Sequence, residues 1–170
     1  LNALEIALKR IGDDIPVTLH MQPFELNPDM TAEGVDAGEY LARKYRLTEA
    51  QQAASRANIR ARGESVGFAF GERSRVWSTF DAHRLLHWAG LQSAEVQRQL
   101  KQALFKAYFT DGLSPGDHAV LLAAAASAGL DTDAARAVLD SDAYAYDVRE
   151  QEAFYQQAGI RSVPAVILND

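Results

Sequence analysis

The sequence predicts an α/β fold in which a small mixed β-sheet is interrupted by a large all-helical insertion. Two short strand patterns lie near opposite ends of the chain. Residues 16–24 alternate apolar and polar side chains between two prolines, and residues 163–168 form a β-rich apolar run. The residues between these patterns are almost entirely helical in character. Two strands do not make a stable sheet, so we expect their partners, the first strand and a terminal hairpin or helix, to be missing from this chain.

The first part of the chain is predicted to form three helices. Residues 1–11 place Leu1, Leu4, Leu8 and Ile11 on one face, and Gly12 supplies the stop. After the strand pattern and a loop at 24–30, the next helix is predicted over 35–45. Thr48 and Gln51 then form a capping box for a helix that runs to about residue 62. Residues 63–75 follow as a connector with a short extended piece at 66–70.

Five more helices are predicted from their start and stop signals. Ser78 with Asp81 is expected to cap a helix that Gly90 ends, and Ser93 one that reaches residue 109. The other three predicted starts are Ser114 with Pro115 and Asp117, then Asp131, then Ser141. The corresponding stops are Gly129, residue 139 and Gly159. These helices make residues 31–159 the predicted insertion, whereas residues 1–30 and 160–170 belong to a partial sheet core.

Composition limits the classes of partner. The 170 residues carry a net charge of −6, which argues against nucleic acid and against anionic membranes. No apolar run approaches the roughly 20 residues of a membrane span, and residues 1–12 do not resemble a signal peptide. We therefore expect a cytoplasmic protein. The chain contains no cysteine, so it offers neither a disulfide nor a thiolate metal site.

Pro164 is the most informative single residue, because it begins a strand-like run. Proline cannot donate to a β-ladder, so it is confined to edges, strand starts and bulges. An X-Pro bond can also be cis at a cost of only about 0.5–1 kcal/mol. The pattern predicts a backbone kink that leaves polar groups of Val163 available for another partner. An edge-strand proline without a role is the alternative.

Three further groups are weaker candidates. Phe24, Leu26, Asn27 and Pro28 form a loop that could line a substrate groove or simply connect two elements. His83 and His87 have the four-residue spacing of metal ligands, but no third ligand is evident and we expect no metal. Asp81 is expected to cap its own helix.

Four segments in order resemble the FrnE-like branch of the DsbA family: 22–30 (QPFELNPDM), 79–89 (TFDAHRLLHWA), 107–109 (AYF) and 159–165 (GIRSVPA). These proteins are thioredoxin-fold thiol–disulfide oxidoreductases with a helical insertion. Kappa-class glutathione transferases and 2-hydroxychromene-2-carboxylate isomerases share the architecture. The resemblance implies a thioredoxin-like fold and a cis Pro164 beside the redox site. It also implies that the backbone of Val163 pairs with substrate, and it gives Phe24, Asn27, Pro28, His83 and Arg84 a place in substrate binding.

The family's Cys-x-x-Cys pair cannot be assigned to any residue of this chain, because its position precedes Leu1. A pair there would make the protein a thiol–disulfide oxidoreductase acting on a thiol or disulfide of a protein or small molecule. A serine or a lone cysteine would instead favour a glutathione-dependent isomerase or transferase. In that case glutathione is the co-substrate, and we expect no other cofactor. A redox-dead binding module is the third alternative, and a homodimer through the helices remains open.

Overall fold

The computed structural model describes residues 1–168, in which eight α-helices and one two-stranded sheet can be traced. A 3₁₀ turn (Gly12–Asp14) follows α1, and a π-helical turn (Lys106–Thr110) follows α5. The elements in chain order are α1 (Asn2–Ile11), β1 (Val35–Asp36), α2 (Ala37–Tyr45), α3 (Glu49–Glu64), β2 (Arg75–Val76), α4 (Phe80–Gln92), α5 (Ala94–Phe105), α6 (His118–Ser127), α7 (Thr132–Leu139) and α8 (Ala145–Gln157).

The hydrophobic core lies among α4, α5, α6 and α7. Its fully buried members include Leu85 of α4, Leu100 of α5 and Leu121 of α6. Small residues such as Ala89 and Ala125 complete the cluster, because alanine favours helix and lets neighbouring helices approach closely. By contrast, α1 has no buried residue. The insertion therefore carries the main core of the described chain.

Helix caps account for several predicted boundaries. The predicted capping box of α3 is confirmed, since the amide of Gln51 donates to Thr48 Oγ1 and the Gln51 side chain accepts from the amide of Thr48. Ser93 caps α5 through the amide of Val96, and Asp131 caps α7. Each cap satisfies amides that the first helical turn leaves without partners.

Other predicted starts were wrong by a few residues. Asp117 is the cap of α6, so Ser114 and Pro115 lie before the helix. The last helix begins after Tyr144, which has left-handed backbone (φ 61°), and Ser141 precedes it. Asp81 does not cap α4, whose first amide instead donates to Ser78 Oγ.

Two expected stops were also wrong. Gly90 lies inside α4 and does not end it. Glycine is needed there because α5 packs closely: a Cβ at Gly90 would lie 2.6 Å from Nε2 of Gln97. The α-helical part of α5 ends at Phe105, and the chain continues through the π-helical turn. There the carbonyl of Phe109 accepts from the amide of Gly71 at 2.9 Å. The connector before β2 thus donates to the Phe109 carbonyl, which in a continuing α-helix would accept from an amide of the same helix.

The sheet is also not where the sequence predicted it. Its two strands pair antiparallel in the register Val35 with Val76 and Asp36 with Arg75. The segments 16–24, 66–70 and 163–168 form no strand, and the apolar side chain of Leu168 is 81% exposed. A strand needs a hydrogen-bonded neighbour, and the described residues place none beside these segments.

One side chain replaces that neighbour for part of the 16–24 segment. The buried amide of Gln97 accepts from the Met21 amide and donates to the Met21 carbonyl, both at 2.9 Å. It also donates to the carbonyl of Leu86. This reciprocal pairing holds the N-terminal segment against α4 and α5.

Candidate functional site

An open cleft of about 220 Å³ lies where the 24–26 loop meets the C-terminal end of α8. Phe24, Leu26 and Ile160 give it an apolar lining, and Leu26 is half exposed there. Gln156 and Arg161 add an amide and a cation. Residue 25, a glutamate, also lines it. The cleft therefore combines three apolar side chains with an acid, an amide and a guanidinium.

The cleft is continuous along the chain with the predicted proline site. Ile160 and Arg161 lie a few residues before the Val163–Pro164 bond, which is cis. The side chain of Val163 is 43% exposed. Phe24 therefore lines the same cleft as Ile160 and Arg161, and the roles of Phe24, Val163 and Pro164 in substrate binding stay predictions.

Asn27 and Pro28 lie beyond the cleft lining. The side-chain carbonyl of Asn27 accepts from Lys44 Nζ at 2.6 Å and from the hydroxyl of Tyr40. These bonds attach the loop to α2, and the carbonyl of Asn27 also closes a turn to Met30. Pro28 is exposed within that turn. Both residues shape the loop that carries Phe24.

Arg84 is an interior residue, contrary to the predicted contact with substrate. Its side chain is buried, and the residue is 5% exposed. The guanidinium donates to the carbonyls of Val138, Ser141 and Ala143, which lie at the end of α7 and in the following loop. It also pairs with Asp81 at 2.8 Å. Because Nε, Nη1 and Nη2 all donate in these contacts, Arg84 joins α4 to the end of α7, and it is not among the residues that line the cleft.

His83 is buried as well, on the side of α4 that faces the N-terminal segment. It lines a water-sized cavity of about 10 Å³ together with Pro23, His87 and Lys101. Burial lowers the pKa of His83 to about 3, and the nearby charge of Lys101 acts in the same direction. A hydrogen bond with the backbone of Phe24 opposes this shift. His83 is therefore neutral at physiological pH and supports the residue that lines the cleft.

Lys101 shares this cavity. Burial lowers its pKa to about 8, and its ammonium lies 4.9 Å from the centroid of the Phe105 ring. The rings of His87 and Tyr144 are tilted against each other, with their centroids 5.4 Å apart. Within residues 1–168, no group of three histidine, aspartate or glutamate side chains is arranged to hold a metal ion.

Asp81 has a different role from the one predicted. Its Oδ1 binds Arg84, and its Oδ2 lies 3.3 Å from Nε2 of His118 at the start of α6. The carboxylate thus links α4 to the start of α6. Among the described helices, none has both the length and the apolar character needed to cross a bilayer.

A buried ionic cluster beneath the 24–26 loop was not predicted from the sequence. Glu25 is 4% exposed, and it and Glu152 of α8 both accept from Nη1 of Arg149. The guanidinium carbon of Arg149 lies 3.9 Å from the centroid of the Phe80 ring. Burial raises the pKa of Glu25, whereas its hydrogen bond with Arg149 acts in the opposite direction. An acid in a loop next to a proline turn gives no sequence signal of such burial.

The family follows from comparison with known proteins. The model of the DSBA-like thioredoxin domain matches residues 2–170. The chain belongs to this family, which confirms the predicted resemblance and the predicted fold class. None of the curated proteins compared with the chain matches it.

A solved structure gives the same result. A probable DsbA oxidoreductase from Streptomyces coelicolor superimposes with a TM-score of 0.77 and is 35% identical in sequence. The match covers 84% of this chain and 62% of that protein. The chain thus spans less than two thirds of the length of this relative.

Proposed function

We propose that this chain forms the substrate-binding side of a thiol–disulfide oxidoreductase of the DsbA/FrnE type. The observation that carries the proposal is the family match over residues 2–170. The cleft supports it, because Phe24, Leu26 and Ile160 offer apolar contacts and Ile160 lies three residues before Val163 in the sequence. A partner with an apolar side chain next to its disulfide fits such a surface.

The chemistry needs cysteine thiols, and these 170 residues contain no cysteine. In thiol–disulfide exchange, a thiolate attacks one sulfur of the substrate disulfide, a mixed disulfide forms, and the other substrate sulfur leaves as a thiolate that takes up a proton. A second thiolate then attacks the mixed disulfide and releases the reduced substrate. We assign the chain's own residues to binding and orientation in these steps.

The positions of the side chains support the following proposed roles. Phe24 and Leu26 contact the substrate, and the backbone of the exposed residue Val163, next to Pro164, pairs with it as an added strand. Asn27 and Pro28 hold the loop in its conformation. His83 forms a hydrogen bond with the backbone of Phe24 on the buried side of the loop. Arg84 is not included among the residues that touch substrate.

A glutathione-dependent reaction is the second candidate. Arg161 at the cleft favours it, because a guanidinium binds carboxylates such as those of glutathione. A redox-dead binding module would use the same cleft without turnover. The FrnE-like branch, a homodimer and a cytoplasmic location remain predictions from the sequence.

The test is reduction of insulin and of a short disulfide-bridged peptide by the full-length protein. We expect turnover, and we expect Leu26→Ser to raise KM for the peptide roughly fivefold with little change in kcat, since about 1 kcal/mol of apolar contact is lost. Leu91→Ser is the matched control, because Leu91 is also exposed but lies at the end of α4. Absence of turnover contradicts the proposal, and turnover only with glutathione supports the second candidate.

A further inference from the structure

Helix α3 is exposed along most of its length. Its buried residues are Gln52 and Gly63, one near each end, and all ten residues from 53 to 62 are exposed. Gln52 donates to the carbonyls of Gly38 and Leu47 and so fixes one end of the helix. A helix that is exposed on every side over nearly three turns gains little from packing on its own chain, so this stretch offers a free surface to another molecule.

This exposed stretch carries positive charge and no negative charge. Residues 53–62 include Arg56, Arg60 and Arg62 and no aspartate or glutamate. Within residues 1–168, none of these three guanidiniums forms an ion pair or a hydrogen bond. Arg56 and Arg60 lie on one side of the helix, about 6 Å apart along its axis. Ile59, which is 46% exposed, lies beside them, and we call Arg56, Ile59 and Arg60 the α3 face.

Helix α8 presents the opposite pattern. Tyr146 and Phe154 are 74% and 64% exposed, and with Glu150 between them they follow at four-residue intervals along one side of the helix. Asp147 lies next to this row and is also exposed. Single exposed apolar side chains are ordinary, but two aromatic rings on one side of a helix form a patch. We call these four residues the α8 face.

The two faces match in charge and in spacing. Each has two like charges about one helical turn apart, positive on α3 and negative on α8, and each has apolar side chains next to them. Guanidiniums bind carboxylates through paired hydrogen bonds and also lie well on aromatic rings. Both faces are exposed in the single chain, so they do not cover one another within it.

We propose that the α3 face of one copy docks onto the α8 face of a second copy. In a twofold arrangement each copy supplies both faces, so the contact forms twice. A second copy is favoured over a nucleic acid or an anionic membrane, because the net charge of −6 repels an extended polyanion while local charge pairs can still form. None of the residues of the two faces lines the cleft, so the dimer contact is independent of the proposed function.

The test is sedimentation velocity of the full-length protein over a range of concentrations, in which we expect a reversible dimer. The double variants Arg56→Glu with Arg60→Glu, and Asp147→Arg with Glu150→Arg, should each raise the dissociation constant at least about tenfold, because like charges then face each other. Salt is a poorer probe, since it screens the overall repulsion between two acidic chains as well as the local attraction.

Mixing the two double variants gives the sharpest result. In the mixed pair, the glutamates on α3 meet the arginines on α8 at one contact, while the other contact keeps the native residues of both partners. Heterodimers should therefore form with an affinity near that of the wild type, which an unfolded variant could not do. Lys9→Glu with Arg10→Glu, at exposed positions of α1, changes the net charge as much as the α3 variant and should dimerise like the wild type.

The apolar part of the contact is tested separately. Phe154→Ser should weaken dimerisation at least about fivefold, whereas Leu91→Ser, at the 65% exposed position near the end of α4, should not. A wild-type protein that stays monomeric at every concentration measured overturns the proposal. A dimer that the charge reversals leave unchanged, or that mixing does not restore, overturns it as well. Sedimentation does not depend on redox turnover, so failure of the dimer contact and failure of the proposed function can be told apart.

Discussion

Buried polar side chains on α4 decide how the loop and the insertion fit together. Arg84 uses its guanidinium on the carbonyls that end α7, and His83 supports the backbone of Phe24. The two residues are neighbours in sequence, so their side chains leave α4 about 100° apart and reach different parts of the chain. Their burial makes each of them a source of measurable stability or pH dependence, even though neither lies in the cleft.

Replacing Arg84 by methionine should lower the free energy of unfolding by about 3 kcal/mol, because three carbonyls and the carboxylate of Asp81 lose a charged donor. Urea denaturation measures this change. Arg60→Met, at an exposed position of α3, is the control and should have little effect. A similar loss in both variants would contradict the interior role of Arg84.

His83 should make the protein less stable in acid. Its pKa is about 3 in the folded protein against an ordinary value of 6.5, so the unfolded chain binds the extra proton between these values. Stability then falls as the pH drops through this window, with a slope of up to roughly 1.4 kcal/mol per pH unit.

This prediction is tested by comparing the free energy of unfolding of the wild type with that of His83→Gln. Taking the difference removes the contribution of Glu25, which changes stability with pH in the opposite direction. Denaturation at several pH values should show that the variant lacks the acid-dependent loss. His20→Gln, at an exposed position, should behave like the wild type. Parallel pH profiles of wild type and His83→Gln would disprove the linkage.

Among the elements, the π-helical turn after α5 is explained by the connector that crosses it. Gly71 donates its amide to Phe109, and the hydroxyl of Thr110 donates to the carbonyl of Ala69 at 2.6 Å. The Phe70 and Phe109 rings meet at 5.8 Å. The turn therefore joins the segment before β2 to the helical bundle.

Gly71→Ala should disrupt this junction, because a Cβ at Gly71 would lie 2.0 Å from the carbonyl oxygen of Thr110. We expect a loss of about 1–3 kcal/mol in the free energy of unfolding, the usual cost of overpacking. Gly116→Ala is the matched control, since its nearest contact would be an ordinary 3.4 Å. Thermal or urea unfolding compares the two, and equal stability of both variants would contradict the role of Gly71.

The sequence predicted the helices well where local chemistry determines them. Thr48 and Asp131 cap α3 and α7 as expected, because a cap depends only on residues within one helical turn. Gly90 and the π-helical turn could not be foreseen, since each depends on a distant contact, with Gln97 in one case and Gly71 in the other. The strand patterns failed for a related reason, because pairing requires a neighbouring strand.

For the whole molecule, several polar junctions attach the N-terminal segment to the insertion, among them Gln97 with Met21 and Arg149 with Glu25. The apolar cleft residue Phe24 was predicted from the sequence as part of a possible groove. Glu25 was not, because an acid in a polar loop normally faces solvent. Glu25 becomes buried only because Arg149 of α8, which is 124 residues further along the chain, packs against the loop.

Gln97→Leu should loosen the first junction, because the amide and carbonyl of Met21 lose their partners while the core volume is retained. Native-state hydrogen exchange should show loss of protection at the Met21 amide, at least about fivefold if one hydrogen bond of about 1 kcal/mol is lost. Gln99→Leu, on the exposed face of α5, should leave this amide unchanged. Unaltered protection in Gln97→Leu would contradict the proposed attachment.

The proposal to be tested is that the cleft lined by Phe24, Leu26 and Ile160 binds the substrate of thiol–disulfide exchange. The most direct measurement is a nitrogen-15 NMR titration of the full-length protein with a peptide whose cysteines are alkylated, so that it binds without reacting. We expect the largest shift changes at the amides of Phe24, Leu26, Ile160 and Val163. Changes confined to other surfaces, such as the region around Leu91, or no saturable change at these four amides, would contradict the claim.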